Sequence, residues 1–508
     1  MDATAQHTHR PDTTLDGGSL DCGGGLLLLI RRAIDPLPPG GLLEILSTDT
    51  TVEVELPAWS RLTGNELVSW TKSGGQRSFL VSKGPLANRA NGHTETANQQ
   101  ASLRPTVEIS VPSSLPAPSP APAVAPLSVM GIGSWPRPAW MLRAIHDHIE
   151  GRMSDEEFAE TANDAVRLSA QAQQRAGVGV LTDGEQRRDN YVSFVGGLLD
   201  NSQLIPLTDL AAMVDDSEEF ERELAALDVP ASSVRHPVVY GRLGRSDSLA
   251  VHELEFAKQL ANGLPVKVAL PGPYLLTRTM WLDCLRESPY TTREELAEDV
   301  VRVLREEAHY LLAAGASIVQ FDEPVLTEVV HGSSRARRSF MCGALSERYD
   351  TATELGFAQE LLAQVTRGLP RDRLAMHVCR GNWTSDETAA LTGDYAPLVD
   401  LLSAVDVGTL FLELSTERAG EIDILAGLPD DKRIGVGIVN PKSPIVEDAD
   451  LLDTRIRRAI DVFGADRVLL TPDCGFATFA DNPVSSAAIA EAKLHAIAQA
   501  RNRIVQPR

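Results

Sequence analysis

The chain has 508 residues and a formal net charge of −23, with 23% charged and 5% aromatic residues. That acidic balance argues against nucleic acid or an anionic membrane as partner, and the length exceeds one ordinary domain while leaving room for a single large α/β barrel. The five cysteines show no paired framework, which excludes a disulfide scaffold and suits a reducing, cytoplasmic compartment.

Residues 1–128 stand apart in composition. They are rich in Gly, Ser, Thr and Pro and close with a Pro/Ala tract from Val111 to Pro126, as an extended linker does. The most apolar run, Leu26-Leu27-Leu28-Leu29-Ile30, is too short to span a bilayer. With Asp16 and Asp21 upstream instead of a basic leader, it is also a poor signal peptide. Thr51-Val52-Glu53-Val54-Glu55-Leu56 alternates like a strand, but nothing repeats and no catalytic cluster appears. The segment reads as a low-complexity extension, disordered or weakly structured, with a small β module as the alternative.

From about Ser128 an apolar strand, a turn and an amphipathic helix recur. Strands are predicted at Val129–Trp135, Val178–Thr182, Val266–Leu270, Ser317–Phe321, Leu374–Val378, Thr409–Leu412, Ile434–Val439 and Val468–Thr471, with helices at Ser154–Ala176, Glu294–Ala314, Glu354–Gly368 and Asp448–Phe463. Ser154 with Glu157 makes a capping box, and Gly177 and Gly315 stand where helix C-terminal caps belong. Eight strands alternating with helices over residues 129–508 are the signature of an α/β fold of the (β/α)8 TIM barrel type. An open doubly wound sheet is the alternative, but no glycine-rich phosphate fingerprint follows the first strand. The acidic stretch around Asp215–Glu223 reads as the solvated face of a helical insertion after the second strand.

The chemistry gathers at the strand ends. The first strand runs into Ile132-Gly133-Ser134-Trp135-Pro136, where Gly133 permits close backbone approach and Ser134 offers donors. The second runs into Thr182-Asp183-Gly184-Glu185-Gln186-Arg187-Arg188, a polar cluster costly to bury without purpose. Later strands end in Pro271-Gly272-Pro273-Tyr274 and Gln320-Phe321-Asp322-Glu323-Pro324. His377-Val378-Cys379, Glu413 and Cys474 likewise follow strand ends, which in a parallel barrel open on one shared mouth. One imidazole, two thiols and one carboxylate suit tetrahedral Zn2+. Cys284, in a helix-like stretch, and Cys342, after a basic loop, are left out of the set.

Taken in order, these motifs resemble the C-terminal catalytic barrel of cobalamin-independent methionine synthase, over about residues 129–505. Ile132-Gly133-Ser134, Asp183-Gly184-Glu185, Gln320-Phe321-Asp322-Glu323-Pro324, His377-x-Cys379, Glu413 and Pro472-Asp473-Cys474-Gly475 each match; singly most are weak, together they are specific. The resemblance implies that His377, Cys379, Glu413 and Cys474 bind zinc. It also implies that Ser134, Glu185 and Asp322, with Ile132 and Gly133 of the same motif, hold the amino-acid part of homocysteine. Three departures stand out. Residues 1–128 do not look like the folate-binding N-terminal barrel of the full-length synthase. Lys442 replaces the family's proton-donating histidine. The stretch Arg380-Gly381-Asn382-Trp383 is longer than in the synthase. The chain looks more like the short, single-barrel relatives.

The donor set argues for the same chemistry. Two thiolates and a carboxylate against a divalent ion sum to a formal −1, which makes the metal a poor acid toward water but still a competent partner for a substrate sulfur. The expected reaction is zinc-dependent methyl transfer to the thiol of homocysteine, giving methionine; the alternative is a thiol alkyltransferase of the epoxyalkane:coenzyme M transferase type. Glu185 and Asp322 favour an ammonium-bearing thiol, whereas Arg187 and Arg188 keep a sulfonate open. Lys442 has three readings: a solvated loop lysine, a phosphate or carboxylate contact for the donor, or the catalytic proton donor. In the last role a lysine needs burial to become acidic enough, so a corrinoid-bound methyl group from a partner protein stands beside methylfolate as donor. A thiol-sensing barrel without turnover and a metal-free decarboxylase are the remaining readings.

Overall fold

The computed structural model describes residues 7–20, 26–89, 99–100, 106–149, 152–206, 235–281, 289–332, 349–382, 385, 387, 390–481 and 483–505. The acidic stretch around Asp215–Glu223, Cys284, Cys342 and Trp383 lie outside the described residues.

The N-terminal region contains β1 (Thr13–Asp16), α1 (Leu27–Ile34), β2 (Leu42–Ser47), α2 (Val52–Leu62), β3 (Glu66–Ser73), β4 (Gln76–Ser82) and β5 (Gln99–Gln100). The strands form one sheet in the order β3-β4-β2-β1-β5, with β1 parallel to β2 and β5 and β4 antiparallel to β2 and β3. Leu27, Ile30 and Ile34 from α1 and Val52, Leu56 and Trp59 from α2 share a core with Leu43, Ile45, Phe79 and Val81. Over its described residues, the expected disordered extension is therefore corrected to an ordered α/β unit. The alternation of Thr51–Leu56 misled because Val52, Leu56 and Trp59 also recur with helical spacing. That face is buried, while Val54 between them is exposed.

The Pro/Ala tract has no helix or strand, but it is pinned. Just before it, Val107 N–H donates to Asn201 Oδ1 at 2.8 Å. Arg373 Nη1 holds the Ser119 carbonyl at 2.6 Å, and Arg433 Nη1 the Val124 carbonyl at 3.0 Å.

Beyond it come α3 (Ala139–Ile149), α4 (Asp155–Ala176), an antiparallel pair of β6 (Asp200–Pro206) and β7 (Arg235–Gly244), and α5 (Val251–Leu260). Then follow β8 (Lys267–Pro271), α6 (Pro273–Met280), α7 (Arg293–Ala313), β9 (Ile318–Asp322), α8 (Val325–His331), α9 (Thr351–Thr366), β10 (Leu374–Val378), α10 (Val399–Ala404), β11 (Thr409–Leu412), β12 (Arg433–Val439), α11 (Ala449–Phe463), β13 (Val468–Pro472) and α12 (Ala487–Val505). The caps read from sequence are present: Ser154 Oγ accepts from Glu157 N–H at 3.2 Å, and Gly177 and Gly315 adopt φ of +82° and +89°.

Strands β8 to β13 form a parallel sheet in sequential order, giving a mixed α/β fold. Both edges continue into short bridged segments: Val129 pairs with Leu470 of β13, and Leu181 pairs with Val266 beside β8. Gly179 N–H then donates to the Val129 carbonyl at 2.8 Å, so the line of paired segments returns on itself. The strands expected at 129–135 and 178–182 thus shrink to bridges, because both segments turn early toward each other, tied by the 2.9 Å bond from Trp135 N–H to the Gly184 carbonyl. Along β10 and β11, Ala375 and Phe411 face an interior shared with Met130, Val180, Ile318 and Leu469, and Val124 packs against that cluster. Their neighbours Met376, Val378, Leu410 and Leu412 pack toward the helices, the two-residue alternation of a strand covered on both faces. No described helix is long and apolar enough to cross a membrane.

Candidate metal centre

His377, next to last in β10, Cys379 just past it and Cys474 two residues after β13 bring one ligand atom each to within 4.8 Å of one another, all buried. The two sulfurs are 3.9 Å apart. Two thiolates on one tetrahedral zinc, with bonds of about 2.3 Å, stand roughly 3.8 Å apart, so the spacing fits the ion. The thiols are also electrostatically unequal. Hydrogen bonding from Cys474, helped by His377, brings Cys379 down to about 7, and the same contact pushes Cys474 well above the ordinary thiol range. The shared contact thus favours ionisation of Cys379 over Cys474.

His377 is held at both nitrogens. Nδ1 lies 3.0 Å from Asp322 Oδ1 and Nε2 lies 3.4 Å from the carbonyl of Asp473. A carboxylate behind a ligating imidazole fixes its ring and tautomer. Glu413 is fully buried immediately after β11, but it lies outside the three-residue cluster. Its Oε1 accepts from Arg418 Nε at 2.8 Å, and its Oε2 from Asn382 Nδ2 at 2.8 Å and Arg380 N–H at 3.0 Å. Asp473 ties two of these loops together, accepting from the N–H groups of Leu414 and Ser415 at 3.0 and 2.9 Å. Burial, reinforced by Glu413, raises its pKa to about 7.

One pocket opens onto the cluster, and Ile132, Ser134, Glu185, Asp322, His377, Cys379 and Cys474 all line it. Glu185 is the unsatisfied member, with an Oε2 that is buried and has no hydrogen-bond partner. Burial raises its pKa to about 7 against the pull of Arg188. Gly133 makes room for it, since a Cβ there would stand 2.0 Å from Glu185 Oε1; a Cβ on Gly475 would stand 2.1 Å from Ser134 Oγ. Lys442, on the loop after β12, is buried but does not line the pocket. Burial and Arg418 lower its pKa, opposed by Glu387, Glu413 and Cys474.

Neither arginine of the second strand end lines the pocket. Arg188 makes a buried pair with Glu253 at 2.5 Å, and Arg187 Nη2 donates to Asn163 Oδ1 at 2.6 Å. Sequence reasoning did not find Tyr191 and Thr478 on the pocket wall, nor Arg418 beside Glu413. Tyr191 and Thr478 sit in irregular turns and Arg418 in a single 3-10 turn, Glu417–Ala419, too short to show periodicity. Asn382 carried the only hint, in the lengthened stretch after Cys379.

A family model described as "Cobalamin-independent synthase, Catalytic domain" matches residues 127–496. The chain is 25% identical to the methionine synthase of Saccharolobus solfataricus over 68% of its own length and 86% of that protein. It is also 25% identical to that of Sulfurisphaera tokodaii, over 68% and 84%. Among solved structures it is similar to a B12-independent methionine synthase from Shewanella sp. W3-18-1 in complex with selenomethionine, with TM-score 0.55, 23% identity and coverage of 75% and 98%. A putative vitamin-B12-independent methionine synthase from Listeria monocytogenes gives TM-score 0.53, 19% identity and the same coverage. With the motif order, the converging His-Cys-Cys cluster and a match across most of its length, this chain belongs to the catalytic-domain family of the cobalamin-independent methionine synthases.

Proposed function

We propose that the chain transfers a methyl group to the thiol of homocysteine, giving methionine, with zinc held by His377, Cys379 and Cys474 and by Glu413 as fourth ligand. The observation that carries this reading is the unpartnered, buried Oε2 of Glu185 in the same pocket as the two cysteine sulfurs. A lone carboxylate oxygen beside a thiol-binding centre suits a molecule with an ammonium at one end and sulfur at the other. The relatives named methionine synthases and the Shewanella complex with selenomethionine support the same substrate class. Zinc, when bound, supplies a soft positive site at which a thiol loses its proton near neutral pH.

The remaining work falls to the chain's own residues. Glu185 and Asp322 hold the α-ammonium group, Ser134 and the backbone of Ile132 and Gly133 border the amino-acid end, and Asp322 also orients His377. Glu413 already accepts three hydrogen bonds, and a carboxylate with about four lone-pair sites has capacity left for a metal. Lys442 is the proposed proton donor to the departing amine of a methylated folate, supported by the burial that makes it a stronger acid. We also read the returning line of paired segments as a (β/α)8 barrel, running from about residue 129 to the C-terminus behind the N-terminal unit, in a cytoplasmic setting where thiolate ligands stay reduced.

The epoxide reading is not favoured, because no lysine or arginine lines the described pocket to receive a sulfonate. A corrinoid partner has no support in a family defined as cobalamin-independent. The test is mass spectrometry of products from zinc-loaded protein given homocysteine with methylfolate, methylcobalamin or a small epoxide in separate reactions. Methionine from methylfolate is expected; an alkylated thiol from the epoxide, without methionine, would overturn the proposal.

A further inference from the structure

One buried charge has no part in the chemistry described so far. Lys267 lies in β8 with 1% of its surface exposed. Its Nζ stands 4.3 Å from the ring centroid of Phe411 in the apolar interior. It donates to Gln320 Oε1 at 2.7 Å. Gln320 Nε2 donates in turn to Asp322 Oδ1 at 2.7 Å, and that same oxygen is 3.0 Å from His377 Nδ1. Side chains of three adjacent strands, β8, β9 and β10, thus form an unbroken line from the interior to the metal cluster.

The polarity of this line is determined at its ends. In its charged form Lys267 has only donors, and a carboxylate has only acceptors, so the amide between them then has a single satisfying orientation, oxygen toward Lys267 and NH2 toward Asp322. The flipped amide would set donor against donor and acceptor against acceptor. Asp322 Oδ1 is then an acceptor on both sides and His377 meets it with Nδ1–H, so Nε2, which lies 3.4 Å from the Asp473 carbonyl, is the nitrogen left to take an ion. A lysine buried against the Phe411 ring is otherwise an expensive interior residue. Burial takes its pKa down to about 7, while Asp322 and Glu185 hold it up.

We propose that Lys267 is a positioning residue for the metal centre: through Gln320 it fixes Asp322 as the acceptor of His377 Nδ1–H, and so selects the tautomer that offers Nε2 to the ion. This rests on the zinc reading above.

The test compares the full chain with Lys267→Met and Gln320→Leu. Zinc content is measured by elemental analysis, affinity by chelator competition, ligand geometry from the absorption of cobalt(II)-substituted protein, and stability from melts of the metal-free forms. Both variants should lose about 10- to 100-fold in zinc affinity, the usual effect of removing a residue that supports a ligating histidine, with a shifted cobalt spectrum. Metal-free Lys267→Met should melt at or above the parent temperature, because an enclosed charge has been replaced by an apolar chain. Gln320→Leu carries the test if Lys267→Met does not fold. A folded variant with parental zinc affinity and cobalt spectrum would overturn the proposal, as would a fall in affinity that only tracks a fall in melting temperature. A parent chain that binds no zinc fails the metal reading itself and is told apart by its own elemental analysis.

Discussion

Glu185 adopts φ of +52°, in the left-handed region that costs a non-glycine residue about 1–2 kcal/mol. Its N–H is tied to Asp183 Oδ1 at 2.9 Å and its carbonyl to Arg137 Nη2 at 2.6 Å, so the surrounding loop enforces the conformation that presents the carboxylate to the pocket. Two outcomes are expected for Glu185→Gln. With an ammonium partner lost, KM for homocysteine should rise by roughly 10- to 100-fold, in line with a charged hydrogen bond of about 1.5–3 kcal/mol, and steady-state kinetics checks this. The metal-free variant should also be more stable than its parent at pH 8. The folded pKa of about 7 lies above the ordinary 4.5, so the parent's relative stability is full below about 4.5 and is lost as pH rises through 7. Calorimetry should find a gain on the order of 1–3 kcal/mol at pH 8 that vanishes at pH 4. Cys474→Ser should lose zinc and methyl transfer together, read by elemental analysis and the product assay; a zinc-free, active variant would remove Cys474 from the centre. At this scale the His-Cys-Cys convergence was legible because each residue stands at a strand end. Lys267 was not, because a single charged letter in the apolar run Val266–Leu270 looks like noise until its partners on β9 and β10 are known.

The elements carrying the ligands were the easiest to read. Both β10 and β11 run over the residues expected, since short apolar runs between a helix and a polar turn leave little freedom in register. The first two strands were overestimated, since apolar content continues through Ile132 and Trp135 after the backbone has left the pairing line for the pocket. Helix α4 offers a clean control. Ser154→Ala removes the cap on Glu157 N–H and should cost about 1 kcal/mol of stability without changing KM or zinc content, as a denaturant melt with parallel kinetics would show.

Across the whole molecule, composition misjudged the N-terminal part. Gly, Ser, Thr and Pro dominate its average, yet a handful of apolar residues on α1, α2 and the sheet between them suffice for a small core. The Pro/Ala tract carries no helix or strand, and its attachment was not foreseen, since its fastening uses backbone carbonyls taken by Arg373 and Arg433, which no composition reveals. Arg373→Ala should free that tract, lowering stability by about 1–3 kcal/mol and exposing residues 106–126 to limited proteolysis, with cleavage followed by mass spectrometry. The same attachment reaches the middle of the sheet. Val124 packs against the apolar cluster that Ile318, Ala375, Phe411 and Leu469 build from β9, β10, β11 and β13, so loosening the tract would also uncover part of the surface on which four strands meet.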